Sequence, residues 1–450
     1  MITYQDLINV GEREEDRMRF VRSAISKHMA SDAYRIAKTA EAYNERRNTT
    51  IVTYQKLLYT MTGEAVEDIY SPNYKLASGF FKRFVTQQVQ YLLGNGVSWG
   101  DPATGERLGV DFDAKLQQLA KKALIGGVAF GFVNFDHLEV FGLTEFVPLY
   151  DEENGALRAG IRYWQIDARK PLRATLYEED GHTEYIWDIK RDAGGEVLQE
   201  KRAYTQVVRV DGIDGEQIYD GENYPTFPIV PLWGNPNRLS EIVGIREQID
   251  AYDLIKSGFC NTVDEASFIY WTLKNNGGAD DVDLAQFIER IRTLKAANVP
   301  DSGEAEAHTI EAPYASREAL LDRLRSDLYD DYMALDTKAI ASGAVTATQI
   351  EAAYEPMNSK ADEFEYCVHE FLDGALAVLG LEDDATLTRS KIVNATEEVQ
   401  TLVSAGTYLD STYVTQKVLE LFGDGDKAEE VLRRMDADDY KRMGGGADEE

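Results

Sequence analysis

Residues 240–350 carry a pattern that few folds can absorb: two long amphipathic stretches enclose a short aromatic-rich insert, and a run of small residues follows the second. In the first stretch Ile242, Ile245, Ile249, Tyr252, Ile255 and Phe259 recur every three or four residues, one face of a 3.6-residue repeat. With Ser240 as its N-cap, this spacing predicts a helix over 240–266. The insert opens on Phe268–Leu273, β-branched and aromatic, closed by Asn275-Asn-Gly-Gly278, which predicts a strand and a turn. Asp280, Asp281 and Asp283 then start a helix reaching Ala297, where the macrodipole favours carboxylates, and Ala305–Ala312 reads as a second strand. Ser316 caps the second long helix, on which Leu320, Leu321, Leu324, Leu328, Tyr332 and Leu335 share a face.

Two helices of about 20 residues each extend roughly 30 Å. Side by side they form a stalk carrying a small α/β tip. A tip of that size leaves Tyr270 and Trp271 uncovered unless neighbouring copies bury them. The stretch Asp336–Ile350 has almost no bulky side chain and can approach another body closely.

The rest of the chain surrounds this device. Helix-prone sequence runs from Met18 to Leu58 with an interruption at 44–48, and Phe80, Phe81, Phe84, Val85, Val89 and Leu92 mark a helix ended by Gly94-Asn-Gly96. Another helix covers Phe112–Ile125, followed by a Gly-Gly break. Between Val128 and Val230 alternating runs separated by turn residues predict antiparallel strands, with hairpin tips at Glu152–Gly155 and Asp192–Gly195. A long helix from Thr348 to Leu379 is expected to kink at Pro356, and two more helices flank Gly406. The fold class expected is α+β, mainly helical. At 450 residues the chain exceeds what one core serves, so two or more regions are expected.

A net charge of −32, from 79 acidic and 47 basic residues, repels phosphates and argues against a conventional DNA-binding domain or a membrane surface. It permits a channel through which DNA slides without sticking. Cys260 and Cys367 are too few for a disulfide framework or a zinc cluster; both read as core residues in a reducing compartment. The N-terminus lacks the pattern of a signal peptide, and the longest apolar patch, 123–135, is too short to span a bilayer. A soluble chain made in the cytoplasm is expected.

No phosphate loop, dinucleotide fingerprint or nucleophile elbow occurs, and the five histidines are dispersed. The pairs Asp330-Asp331 and Asp383-Asp384 leave one enzymatic alternative, a magnesium-dependent nuclease. No catalytic residue, cofactor or metal ligand is assigned.

The order of segments resembles one family, the portal proteins of tailed bacteriophages, in particular the SPP1-like siphophage group. Pro72-Asn-Tyr-Lys75 and Tyr91-Leu-Leu-Gly-Asn-Gly-Val97 are similar to its early motifs. Pro228-Ile-Val-Pro-Leu-Trp-Gly-Asn235, Ile249-Asp-Ala-Tyr-Asp253 and Ser257-x-x-x-Asn261 resemble the run before its clip. Ser342-Gly343 is similar to its "Ser-Gly-x-Ala" loop, with Val345 in place of alanine, and Ser404-Ala-Gly406 with Ser411 and Thr415 resembles its helix-Gly-helix close.

The resemblance implies a non-enzymatic ring, usually of twelve subunits, at one capsid vertex of the virion, assembled in the host cytoplasm. It implies a portal fold with a wing at 1–239, a first stem helix at 240–266, a clip at 267–315 and a second stem helix at 316–336. A tunnel loop at 337–349, a wing helix at 350–389 and a crown with tail at 390–450 follow. Lys338, Ser342, Gly343, Ala344, Thr346, Thr348 and Gln349 of the loop are expected to face double-stranded DNA. Tyr270, Trp271, Asp280, Asp281, Glu289, Arg290 and Arg292 of the clip are expected to meet the terminase large subunit and the head-completion (connector) protein. Lys256, Arg317, Arg323 and Arg325 of the stem are expected to pair with acids of the next subunit rather than to touch phosphates, the alternative for the same cations. Major capsid and scaffolding proteins complete the implied partners; another virion structural protein is the remaining alternative.

Overall fold

The computed structural model describes residues 2–59, 62–69, 71–188, 195–211, 216–266, 270–274, 304–308, 314–338, 347–390, 399, 402–404, 406, 408, 410–421 and 430–435. Among the described residues helix outweighs strand, so the chain is mixed and mainly helical. Its largest core forms where helices Phe80–Leu93, Phe112–Gly126 and Ala347–Leu379 close on a three-stranded antiparallel sheet ordered 229–233, 128–134, 137–142. Phe81, Phe84, Leu92, Leu116, Phe364 and Phe371 are fully buried there. The long helix lies so close to the sheet that a Cβ on Gly131 would sit 2.7 Å from the Phe371 ring, which only glycine avoids. The Gly-Gly break falls where its chemistry requires: Gly127 has φ +86° and its N–H donates to Ala123 O at 2.7 Å, closing the helix.

A second core lies under a five-stranded antiparallel sheet ordered 195–202, 181–187, 172–178, 157–164, 146–150. Strand Gly181–Trp187 buries every second residue, so one face is covered, here by Val21, Ala24 and Ile25 of helix Glu14–Met29 and Leu7 of helix Tyr4–Val10. Arg17 grips Glu178 through two bonds of 2.7 and 2.9 Å, tying helix to sheet with both side chains about nine-tenths buried. The short helix Tyr4–Val10, absent from the periodicity reading, is held by a capping box between Thr3 and Asp6.

The stalk is present as two antiparallel helices, Arg246–Ala266 and Tyr314–Tyr332. Gln248 bonds Asp331 at one end, while Phe259 and Tyr314 meet at 5.6 Å near the other. The first begins six residues later than expected. Gly244, at φ +95°, lies outside helical backbone, and residues 241–245 form turns that still bury Ile242 and Ile245. Ser240 does not cap the helix; its hydroxyl donates to Ile125 O at 2.5 Å and accepts from Ile242 N. Cys260 is exposed, contrary to the core reading, because the helix leaves the core after Ser257, whereas Cys367 is buried. Burial pushes the Cys367 thiol up to about 11, which suits a packing role.

Strands Tyr270–Lys274 and Glu304–His308 pair antiparallel, so the insert contains a two-stranded sheet of its own. The helix expected up to Ala297 and the hairpin tip Asp192–Gly195 lie outside the described residues, except for Gly195 itself. Ala347–Leu379 runs through Pro356 as one continuous helix. Strand Ala385–Leu387 returns to pair with Val97–Trp99, a crossover no local signal announced, and helix Ser411–Leu421 follows Gly406.

Candidate functional site

Three of the motifs that carried the family resemblance, at 72–75, 249–253 and 257–261, meet on one face of the first stalk helix. Asp253, Ser257 and Asn261 are spaced i, i+4, i+8, so they form one row along it. Each accepts a backbone N–H from segment 74–78: Ser78 to Asp253 Oδ1 at 2.9 Å, Leu76 to Ser257 Oγ at 3.0 Å, and Tyr74 to Asn261 Oδ1 at 2.7 Å. The match is geometric. Four helical residues rise about 6 Å, close to the roughly 6.6 Å of two extended residues, so alternate N–H groups keep step with every fourth side chain.

The row is locked from the other side by Asn48. Its Nδ2 donates to Asp253 Oδ2 at 3.0 Å, while its Oδ1 accepts from the backbone N–H groups of Thr50 and Ile51. Asp253 is fully buried; burial pushes its pKa up, opposed by the hydrogen bonds from Asn48 and Ser78. Next to it, Asp250 accepts from Tyr43 and, at 2.8 Å, from Thr50 Oγ1. A polar clasp thus fixes the stalk to the body of the chain.

The second stalk helix ends in a rigid root for the small-residue stretch. Met333 takes φ +62°, and the bonds Ala334 N to Tyr329 O and Met333 N to Asp330 O make a Schellman closure. Lys360 donates to Tyr332 O at 3.1 Å, sits 3.5 Å above the Tyr332 ring and pairs with Glu241 at 2.5 Å. Gln87 donates to Leu335 O at 3.0 Å, and Tyr332 donates to Gln88 at 2.9 Å. Asp336 accepts from Arg325 at 2.7 Å and from Lys338 N at 3.0 Å; burial works against its charge, but these bonds outweigh it and hold its pKa below the ordinary value.

Of the residues expected to line the loop, Lys338 is exposed just beyond this root. Thr348 and Gln349 are exposed in the first turn of helix Ala347–Leu379, which begins inside the range expected for the loop. Ser342, Gly343, Ala344 and Thr346 lie outside the described residues. In the insert, Tyr270 and Trp271 are in the two-stranded sheet, and Asp280, Asp281, Glu289, Arg290 and Arg292 lie outside the described residues. In the stalk, Arg323 pairs with Asp327 at 2.8 Å and Arg325 with Asp336, both within the chain. Arg317 donates to Thr262 Oγ1 at 2.7 Å, and Lys256 stands 5.9 Å from the Tyr252 ring.

Asp383 is engaged structurally, accepting from the backbone of Asp101 and Asp384; the hydrogen bond from the Thr104 side chain, with these backbone bonds, lowers its pKa. His28 is hydrogen-bonded to Leu143 O at 2.8 Å, and burial pushes its pKa down. Among the described residues no group of three or more His, Cys, Asp or Glu is placed to hold a metal ion, and no helix is long and apolar enough to cross a membrane. The clasp was missed from sequence, although its polar row at helical spacing was visible within the family motifs.

Comparison with known proteins addresses the same motifs. The chain is 24% identical over 398 residues to the portal protein of Bacillus phage SPP1, covering 78% of this chain and 74% of that one. It is 24% identical over 276 residues to the portal protein of Clostridium phage phiCD119, 58% of each chain. Among solved structures, it is similar to a chain in the neck of a native GTA particle computed with C12 symmetry (TM-score 0.40, 11% identity, 75% of this chain and 89% of that one). A chain in the neck of an empty GTA particle computed with C6 symmetry gives TM-score 0.43 and 10% identity, over 76% and 90%. The family model "Phage portal protein, SPP1 Gp6-like" matches residues 23–438 and so includes the clasp, both stalk helices, the insert and the loop root. By that match the chain belongs to the SPP1 Gp6-like family of phage portal proteins, a structural and non-enzymatic family.

Proposed function

We propose that this chain closes into a ring, of twelve copies in keeping with the family resemblance, at one vertex of a phage capsid, and that double-stranded DNA enters and leaves through it. The observation that carries this reading is the stalk: two antiparallel helices, the first clasped to the body through Asp253, Ser257 and Asn261, with a small sheet in the insert between them and a pinned root that continues into a stretch of small residues. In the ring the stalks stand around the passage as its stem. The stretch 337–349, with Lys338, Ser342, Gly343, Ala344, Thr346, Thr348 and Gln349, faces the duplex as a tunnel loop.

The insert, 267–315, is the clip, where the terminase large subunit and then the head-completion protein dock. Residues 1–239 and 350–389 form the wing towards the major capsid and scaffolding proteins, and 390–450 the crown. Hydrolysis of ATP belongs to the terminase. The magnesium-dependent nuclease reading has no place in a structural family.

Replacing Gly343 and Ala344 by leucine tests the loop. In a head-assembly system that packages DNA, the variant should build rings and heads of normal composition but fill at least tenfold fewer of them. Normal filling would remove 337–349 from the path of the DNA.

A further inference from the structure

Beside the clasp a groove of about 290 Å³ opens between the first stalk helix and residues 51–75. Lys56, Lys75 and Arg317 line it, and no carboxylate does, in a chain with 79 acidic residues. Lys75 Nζ donates to Val52 O at 2.7 Å and Arg317 to the Thr262 hydroxyl, both neutral oxygens; Lys56 Nζ is 4.0 Å from Asp68. A second observation concerns Gly258, which also lines the groove. Glycine in the middle of a helix is unfavourable relative to alanine, yet a Cβ there would meet no atom within 4 Å. Packing within the chain gives no reason for the missing side chain, whereas an occupant entering the groove does.

The rim indicates the nature of the occupant. Strands Leu57–Tyr59 and Ala65–Glu67 form a two-stranded sheet, an arrangement marginal by itself in water. Tyr54, Leu57, Tyr59, Val66 and Ile69 on and beside it are exposed, Tyr59 and Ile69 by about three-quarters, at 74% and 76%. Apolar and aromatic surface of this extent next to a cationic groove fits a protein with carboxylates better than a run of phosphates.

We propose that the groove receives Glu318 and Asp322 of a second copy of this chain, with the hairpin covering the joint; this rests on the ring reading above. In a ring the contact is heterologous, and rotation about an axis along the stalk brings a residue opposite those of its own height. Glu318 and Asp322 are exposed and lie within about 8 Å of Arg317 along the helix axis. At roughly 100° per residue, Arg317 and Glu318 leave the helix on either side of the row containing buried Leu328 and Tyr332. One flank therefore presents the groove and the opposite flank presents the acids, as a head-to-tail contact requires.

Native mass spectrometry of the full chain, under conditions where the wild type forms rings, tests this with three variants. Gly258→Gln should fold with an unchanged or higher thermal midpoint and lose at least tenfold of its ring population. Arg317→Glu should lose its rings, and Arg317→Glu combined with Glu318→Lys should regain them. Normal rings from Gly258→Gln overturn the proposal and leave the ring reading standing. Normal rings from Arg317→Glu with altered retention of duplex DNA overturn it in favour of a phosphate site. A wild type that never forms rings overturns the ring reading and this proposal together.

Discussion

Asp253 shows how one residue couples sequence motif to architecture. Its carboxylate accepts from Ser78 N and Asn48 Nδ2 in a site with no solvent access. Asparagine has nearly the same shape but offers one acceptor oxygen. Asn48 cannot turn its amide to compensate, because its own oxygen already serves the backbone N–H groups of Thr50 and Ile51. Asp253→Asn should therefore destabilise the chain by about 2 kcal/mol, measured by denaturant unfolding, since a buried donor is left unpaired. A loss within about 0.5 kcal/mol would mean that the clasp relaxes around the change. The row Asp253, Ser257, Asn261 was legible as polar side chains at helical spacing. What they hold was not, because backbone N–H groups of an irregular segment leave no mark in the sequence.

At the scale of elements, periodicity found the helices Phe80–Leu93 and Phe112–Gly126 and the strand-rich character of 128–230, where one face is buried and the alternation of side chains is therefore dictated, as in Gly181–Trp187. It placed the start of the first stalk helix too early, because Ile242 and Ile245 are buried from turns and keep an apolar spacing without being helical. The pairing of Ala385–Leu387 with Val97–Trp99 escaped because strands of three residues carry too little pattern and their partner is far away in the chain.

The loop root gives a pH-dependent prediction at this scale. Asp336 has a pKa held below its ordinary 3.8 by Arg325 and the Lys338 N–H. Its contribution is thus fully present above that value and is lost as pH falls below it. Asp336→Asn should cost about 1 kcal/mol at pH 7, and the difference from wild type should shrink as pH drops below about 3.8. A difference independent of pH would show that the Asp336 carboxyl titrates alike in the folded and unfolded chain, against the lowered pKa. Asp253 runs the other way: with its pKa raised, protonation favours the folded form as pH falls through the window above 3.8.

For the whole molecule the decisive property is charge combined with assembly. Each copy carries −32, and the ring proposed above would multiply this around the passage proposed for DNA. That much was legible in composition, and the family match gives it a setting. The positions proposed to meet DNA, terminase or a neighbouring copy carry no distinctive sequence pattern, because contacts of that kind depend on surfaces supplied by other molecules. The most direct test of the account is the mass and shape of the purified full-length protein, by native mass spectrometry with negative-stain images. The account predicts closed rings of about a dozen copies with a central hole; particles that remain compact monomers or dimers at every concentration and salt tried would contradict it.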